Sequence, residues 1–220
     1  MRPNCFVRTR SALPSATRCK LMTINLEKGQ RISLEKVAPG LKNLLFGLGW
    51  DVVKSEGLLG FLTKGPNLDL DASAICLNKN NKFKGVTDLV YFGNLRHSSG
   101  AITHLGDNLT GEGDGDDEQI LVALDKLPDQ IEKLVFVVNI YECFSRKQDF
   151  AQVNNAFVRL VDRATNQEIA RYDLSGSSYA GMTGMLMAEV YRQDGQWQMA
   201  AKGEGLRVKN LQEMTGHFKR

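Results

Sequence analysis

The stretch AFVRLVDRATNQEIARYDL, residues 156–174, sets the grammar of this chain. Two short runs, Ala156 to Val161 and Glu168 to Leu174, are rich in apolar and aromatic residues and flank a polar connection containing Asp162 and Asn166. Runs of this kind bounded by turn formers read as strands. At strand period Phe157, Arg159 and Val161 share one face and Val158, Leu160 and Asp162 the other, and both faces are largely apolar. Doubly apolar strands suit the interior of a packed sandwich.

The same pattern extends in both directions. Asn43 to Val53, Leu70 to Leu77, Asp88 to Phe92, Gln119 to Leu124 and Leu134 to Tyr141 read as strands on the N-terminal side. Met185 to Tyr191 and Gln196 to Ala201 follow on the other, joined through Asp194-Gly195, a strong hairpin signal. Ile24 to Leu26 and Ile32 to Leu34 flank Lys28-Gly29-Gln30 and read as a first hairpin. Helical candidates are limited to Arg146 to Val153 and Leu206 to His217. No long segment of 3.6-residue period lies between the strands, which disfavours a parallel βαβ architecture. The expected fold is therefore all-β, a sandwich of two antiparallel sheets with about ten strands and one or two short helices.

Composition agrees with a globular chain: 220 residues, 42% hydrophobic, 24% charged and 8% aromatic. The longest apolar runs, such as Leu134 to Val138, are strand-sized, whereas a bilayer-crossing helix needs roughly 20 apolar residues, so membrane insertion is not expected. The formal charge of +3 has two sources. Residues 1–21 hold five basic side chains and no acid, leaving 23 basic against 25 acidic residues from 22 to 220. The remainder is mildly acidic and carries no basic patch interleaved with aromatics, so nucleic acid is not an expected partner.

Residues 1–21 do not read as fold. They are Arg- and Ser-rich and acid-poor, which fits an organelle transit peptide, or else translation starts at Met22 and the tail is an artefactual or disordered extension. Pro3 and Pro14 interrupt any amphipathic helix and favour the second reading. Residues 22–220 are then one domain. Of four cysteines only Cys76 and Cys143 lie outside the tail, with no CxxC spacing, which points to two buried thiols rather than a zinc or disulfide framework.

Chemistry concentrates in one segment. From His97 to Asp125 there is no Lys or Arg but seven acids, six of them in GDNLTGEGDGDDE, residues 106–118. Carboxylates about 6 Å apart repel by roughly 3 kcal/mol per pair at an effective dielectric of 20. An ordered loop of this composition needs a cation. Asp107, Glu112, Asp114, Asp116, Asp117 and Glu118, with the Asn108 amide, the Thr110 hydroxyl and carbonyls freed by glycine, are hard oxygen donors that suit calcium better than magnesium. The EF-hand template fails in every register, because Gln119 stands where its glycine should be. Asp69, Asp71 and Ser73 alternate with Leu68, Leu70 and Ala72 and share one strand face, and Asp51 closes another apolar run. These acids are expected to join the loop. The cofactor expected is calcium, as two ions.

Residues 54–67, KSEGLLGFLTKGPN, break the strand rhythm. Leu58, Leu59, Phe61 and Leu62 form a candidate partner-binding tip, with a loop folded back on the core as the alternative.

In order along the chain, GLGWD (47–51), DLDASA (69–74), GDNLTGEGDGDDE (106–118), FVRLVD (157–162) and ARYDL (170–174) closely resemble the tellurium-resistance TerD family. The resemblance runs from about Met22 to about Gly203; the 54–67 insertion is longer and more apolar than usual and 204–220 match weakly. It implies a cytoplasmic calcium-binding β-sandwich of bacteria, encoded with other stress proteins and contributing to resistance to tellurite and other chemical stresses. It also implies that the metal is held by the segments matching Asp51, Asp69, Asp71, Asp107, Asn108, Asp114, Asp116, Asp117 and Glu118. Some relatives carry a cyclic-nucleotide-binding label.

Catalytic signatures are missing: no G-x-S-x-G elbow, no Walker motif and no Rossmann fingerprint occur, and Gly111, Gly113 and Gly115 are interleaved with acids that repel phosphate. The expected function is a calcium-ordered binding or scaffold module, not an enzyme, with protein partners in a stress-response complex. Peripheral association with a membrane complex is compatible with it. The alternative is a metal-dependent, phosphoesterase-like hydrolase with His104 as base, or a cyclic-nucleotide-binding protein, using the same acidic loop.

Overall fold

A computed structural model describes residues 23–52, 68–106, 115–173 and 179–219. The tail, residues 1–21, and the expected partner tip with Leu58, Leu59, Phe61 and Leu62 lie outside these. Among the described residues twelve strands form two six-stranded sheets. In chain order they are β1 (Ile24–Asn25), β2 (Arg31–Ser33), β3 (Asn43–Val52), β4 (Leu70–Leu77), β5 (Leu89–Val90), β6 (Ile102–His104), β7 (Glu118–Ala123), β8 (Lys133–Ile140), β9 (Val153–Asp162), β10 (Gln167–Asp173), β11 (Gly184–Gln193) and β12 (Gln196–Leu206). The first sheet runs β1-β10-β9-β3-β7-β6 and the second β2-β12-β11-β8-β4-β5. Three short helices, α1 (Leu34–Val37), α2 (Cys143–Arg146) and α3 (Leu211–Gly216), complete the set.

The expected all-β sandwich is present, with two more strands than expected and three helices. Phe46 of β3 and Phe136 of β8 stack between the sheets, centroids 4.4 Å apart and nearly coplanar in orientation at 7°. Both belong to the main core with Leu48, Leu70, Ala72, Val138 and Leu160. Along β4 and β8 the alternate residues Ile75, Leu77, Val135 and Val137 bury on the opposite side, where Val208 and Met214 cover them. These strands are apolar on both faces because one face meets the other sheet and the other meets α3 and the segment before it. Gly184 makes that cover close: a Cβ there would collide with Met214 and Val208.

Three local expectations change. β1 and β2 do not form a hairpin, because β1 pairs in parallel with β10 and β2 antiparallel with β12, in different sheets. The intervening turn, closed by Gln30 N–H to Glu27 O at 3.0 Å and docked by Gly29 N–H on Ala201 O at 2.8 Å, is a crossover. The expected helix from Arg146 to Val153 resolves into α2 and a single 3-10 turn, Phe150–Gln152, with Lys147 left-handed at φ 51° between them. α3 begins at Leu211 rather than near Leu206, because Asn210 caps it and β12 runs on to Leu206. The Asp194-Gly195 hairpin forms as expected, both residues at positive φ, 52° and 75°.

Candidate metal centre

One end of the sandwich carries those of the expected acids that lie among the described residues. β3 arrives there with Trp50 and Asp51, β4 departs from it with Asp69 and Asp71, and β7 begins there with Glu118. The segment carrying Asp107, Asn108, Glu112 and Asp114 is joined to the fold at Gly106 and Gly115 and itself lies outside the described residues, as does the Asp51 side chain.

Strand alternation sends the remaining acids to three different faces. Glu118 pairs in register with Leu48 and points between the sheets, 1% exposed. Its Oε2 accepts the Ala72 N–H at 2.6 Å, which ties β7 of the first sheet to β4 of the second. His104 lies beside it, Nε2 to Oε2 3.5 Å, fully buried, while its Nδ1 accepts the Gly106 N–H at 3.2 Å. That bond leaves the ring proton on Nε2, facing the carboxylate. Both ring nitrogens of His104 are thus directed at the protein, and it is a core histidine packed beside Glu118. Trp50 is equally a core side chain, its Nε1 donating to Leu68 O at 3.3 Å.

Asp116 turns to the outer face of the first sheet. There Gln119, Gly47 and Arg159 are register neighbours on β7, β3 and β9. The carboxylate lies over Gly47, where any Cβ would collide with it. Arg159 Nε donates to Oδ1 at 2.7 Å and Nη2 to Oδ2 at 3.0 Å, a bidentate pair, and Gln119 Nε2 donates to Oδ2 at 3.1 Å. Arg159 also reaches Glu168 Oε2 at 3.2 Å. The Asp116 bond, first of several causes, raises the Arg159 pKa above its ordinary value. Asp117 uses Oδ2 to accept the Trp50 N–H at 2.9 Å, and its own N–H donates to Leu48 O at 2.8 Å.

Asp69 and Asp71 lie on the outer face of the second sheet. Asp71 stands opposite Asn139 of β8, whose Nδ2 donates to Asp71 Oδ2 at 3.1 Å. Asp69 Oδ2 is 3.9 Å from Arg146 Nη1 of α2, and its backbone carbonyl accepts the Tyr141 N–H at 2.8 Å. Among the described residues no three His, Cys, Asp or Glu side chains are arranged to hold a metal ion.

Arg159, Gln119 and Asn139 carry roles that reading for ligands did not find. Arg159 had a signal, being the one basic residue in the largely apolar run FVRLVD. The partnership of Asn139 with Asp71 had none, since 68 residues separate them.

A TerD domain family profile matches residues 22–218. Stress response protein SCP2 of Bacillus subtilis (strain 168) is 50% identical over 202 residues, spanning 90% of this chain and 100% of that protein. Tellurium resistance protein TerD of Serratia marcescens is 45% identical over 184 residues, 84% of this chain and 91% of that protein. In fold the chain is similar to the crystal structure of a homologue of telluride resistance protein (TerD) from Streptomyces coelicolor A3(2), with a TM-score of 0.63 and 23% identity over 80% of this chain and 98% of that one.

Proposed function

The chain belongs to the TerD domain family, and from that membership and the placement of its acids we propose that it is a calcium-ordered binding or scaffold module serving resistance to tellurite and other chemical stress. The relatives quoted above carry stress-response and tellurium-resistance names, and none of those names is enzymatic. The observation that carries the calcium reading is the Glu118 to Ala72 bond. It anchors the strand that follows the acidic segment beside the strand that carries Asp69 and Asp71, so Gly115, where that segment rejoins the described fold, lies at the same end of the sandwich as those acids.

The donors fit a hard cation in kind. Asp69 and Asp71 offer carboxylate oxygens, and the nearest imidazole, His104, is turned to Glu118. The described side chains do not make a cage by themselves, so Asp107, Asn108, Glu112 and Asp114, with Asp51, supply the rest of the two-ion set. Asp116, Asp117 and Glu118, also in the expected set, take a second part as well. Besides any ligand role, their bonds to Arg159, Trp50 and Ala72 fix the start of the strand that follows the acidic segment. Calcium, when bound, supplies the charge that lets the acids stay together, and an ion that binds only the folded form stabilises it by about 2.7 kcal/mol at a hundredfold excess over Kd. The ordered loop then presents a surface to partner proteins.

Titration calorimetry and thermal melts test this. The wild type is expected to bind calcium with Kd no weaker than about 1 mM and to lose thermal stability in chelator. The double variant Asp69→Asn, Asp71→Asn is expected to bind about tenfold more weakly or worse, given the loss of two charged donors. Wild type with no binding heat at millimolar calcium, or a double variant that binds equally well, sinks the reading.

A further inference from the structure

Bordering the acidic corner at Asp71, the outer face of the second sheet holds a cleft of about 610 Å³ whose lining also includes Asn139, Tyr91, Phe92, Tyr141 and Lys219. Pockets that take small organic ligands span roughly 300–1,000 Å³. Asn139 is 5% exposed and gives its Nδ2 to Asp71. Its Oδ1 is buried and has no hydrogen-bond partner among the described residues. A buried acceptor left in that state costs about 1–3 kcal/mol, so the site asks for a donor from outside the chain. The Asp71 carboxylate beside it is also an acceptor.

The walls are aromatic. Tyr91 and Phe92 meet edge to face at 5.3 Å and 74°, and Phe92 and Tyr141 at 6.0 Å and 85°. Rings at near right angles offer faces to a cation from two sides. The chain's own cations already use this surface: the Arg146 guanidinium lies 5.3 Å from the Tyr141 centroid and Lys219 Nζ 5.7 Å from that of Phe83.

We propose that this cleft binds a small organic cation, an amidinium or primary ammonium, whose N–H groups meet Asn139 Oδ1 and the Asp71 carboxylate while Tyr91, Phe92 and Tyr141 enclose its body. Lys209 and Lys219 also line the cleft and favour the opposite sign of ligand. The sign is therefore what the experiment must read. Asn139 and the aromatic walls are not among the expected calcium donors, so the inference stands apart from the calcium reading, with Asp71 the one shared residue.

Benzamidine and its anionic counterpart benzoate are titrated into the full chain by NMR, in saturating calcium and in chelator. Saturable shifts with benzamidine and none with benzoate are expected. Loss of one hydrogen bond to a charged group makes Asn139→Leu weaken benzamidine binding about tenfold or more. Tyr141→Ala, at the exposed rim, weakens it about threefold and keeps the test alive if the Asn139→Leu chain fails to fold. No saturation by about 10 mM benzamidine, equal binding of benzoate, or wild-type affinity in both variants overturns the proposal and leaves Asn139 to a bound water. A chain that binds benzamidine but no calcium upholds this inference while defeating the calcium reading, and one that binds calcium alone does the reverse.

Discussion

Asp116 shows how the surroundings of a carboxylate decide its use. Its side chain has no solvent exposure, and both of its oxygens are engaged, by Arg159 and by Gln119. Burying a charge is tolerable only while its partner stays in place. Arg159→Ala is therefore expected to destabilise the fold by about 3 kcal/mol, because it strands a buried carboxylate. Asp116→Asn added to Arg159→Ala should recover part of that loss, giving a non-additive cycle. Urea denaturation of the four chains measures both. If Arg159→Ala shifts the midpoint no more than a surface substitution does, the pair is ornamental.

At the scale of elements, α3 shows a short helix held by its cap and by what it covers. Asn210 Oδ1 accepts the Glu213 N–H at 3.0 Å, and Glu213 Oε2 accepts the Lys209 N–H at 2.6 Å, a reciprocal arrangement of the capping-box kind. With only six residues the helix has little stability of its own. Asn210→Ala is expected to cost about 1 kcal/mol, seen as a lower urea midpoint with faster hydrogen exchange at Glu213. Unchanged exchange there contradicts the capping role. The strands were legible from their runs of apolar and aromatic residues, and Leu70 to Leu77 matches β4 end to end. The pairing of β1 and β2 was not legible, because two- and three-residue strands carry too little pattern to say which sheet completes them.

Over the whole molecule, burial sets an alkaline limit on stability. Cys76 and Cys143 are both buried free thiols, as the spacing of the cysteines suggested. Burial first, and the Asp88 charge second, push the Cys76 thiol up from 9.0 to about 12. Burial, with its bond to the Tyr179 hydroxyl, also raises Tyr172 above the ordinary phenol range. The folded chain keeps the Cys76 proton where the unfolded chain releases it. The stabilisation is complete below the unfolded thiol's pKa near 9.0 and is lost as pH climbs toward about 12, at up to about 1.4 kcal/mol per pH unit. Urea unfolding between about pH 8.5 and 11 should show this decline, shallower in Cys76→Ala. An equal slope in both chains removes Cys76 as its cause.

The sequence by itself determined the fold class, the doubly apolar strands, the Asp194-Gly195 hairpin and the concentration of acids in residues 106–118. Those properties depend on composition and on periodicities of two to four residues, which a linear chain displays. Tertiary structure decided how those acids divide. Asp116 and Glu118 are two residues apart, yet one lies over Gly47 under Arg159 and the other lies between the sheets on Ala72. Asp71 owes its partner to a strand 68 residues away. A side chain's face is local, but what waits on that face is brought there by sheet packing, which no window of sequence contains.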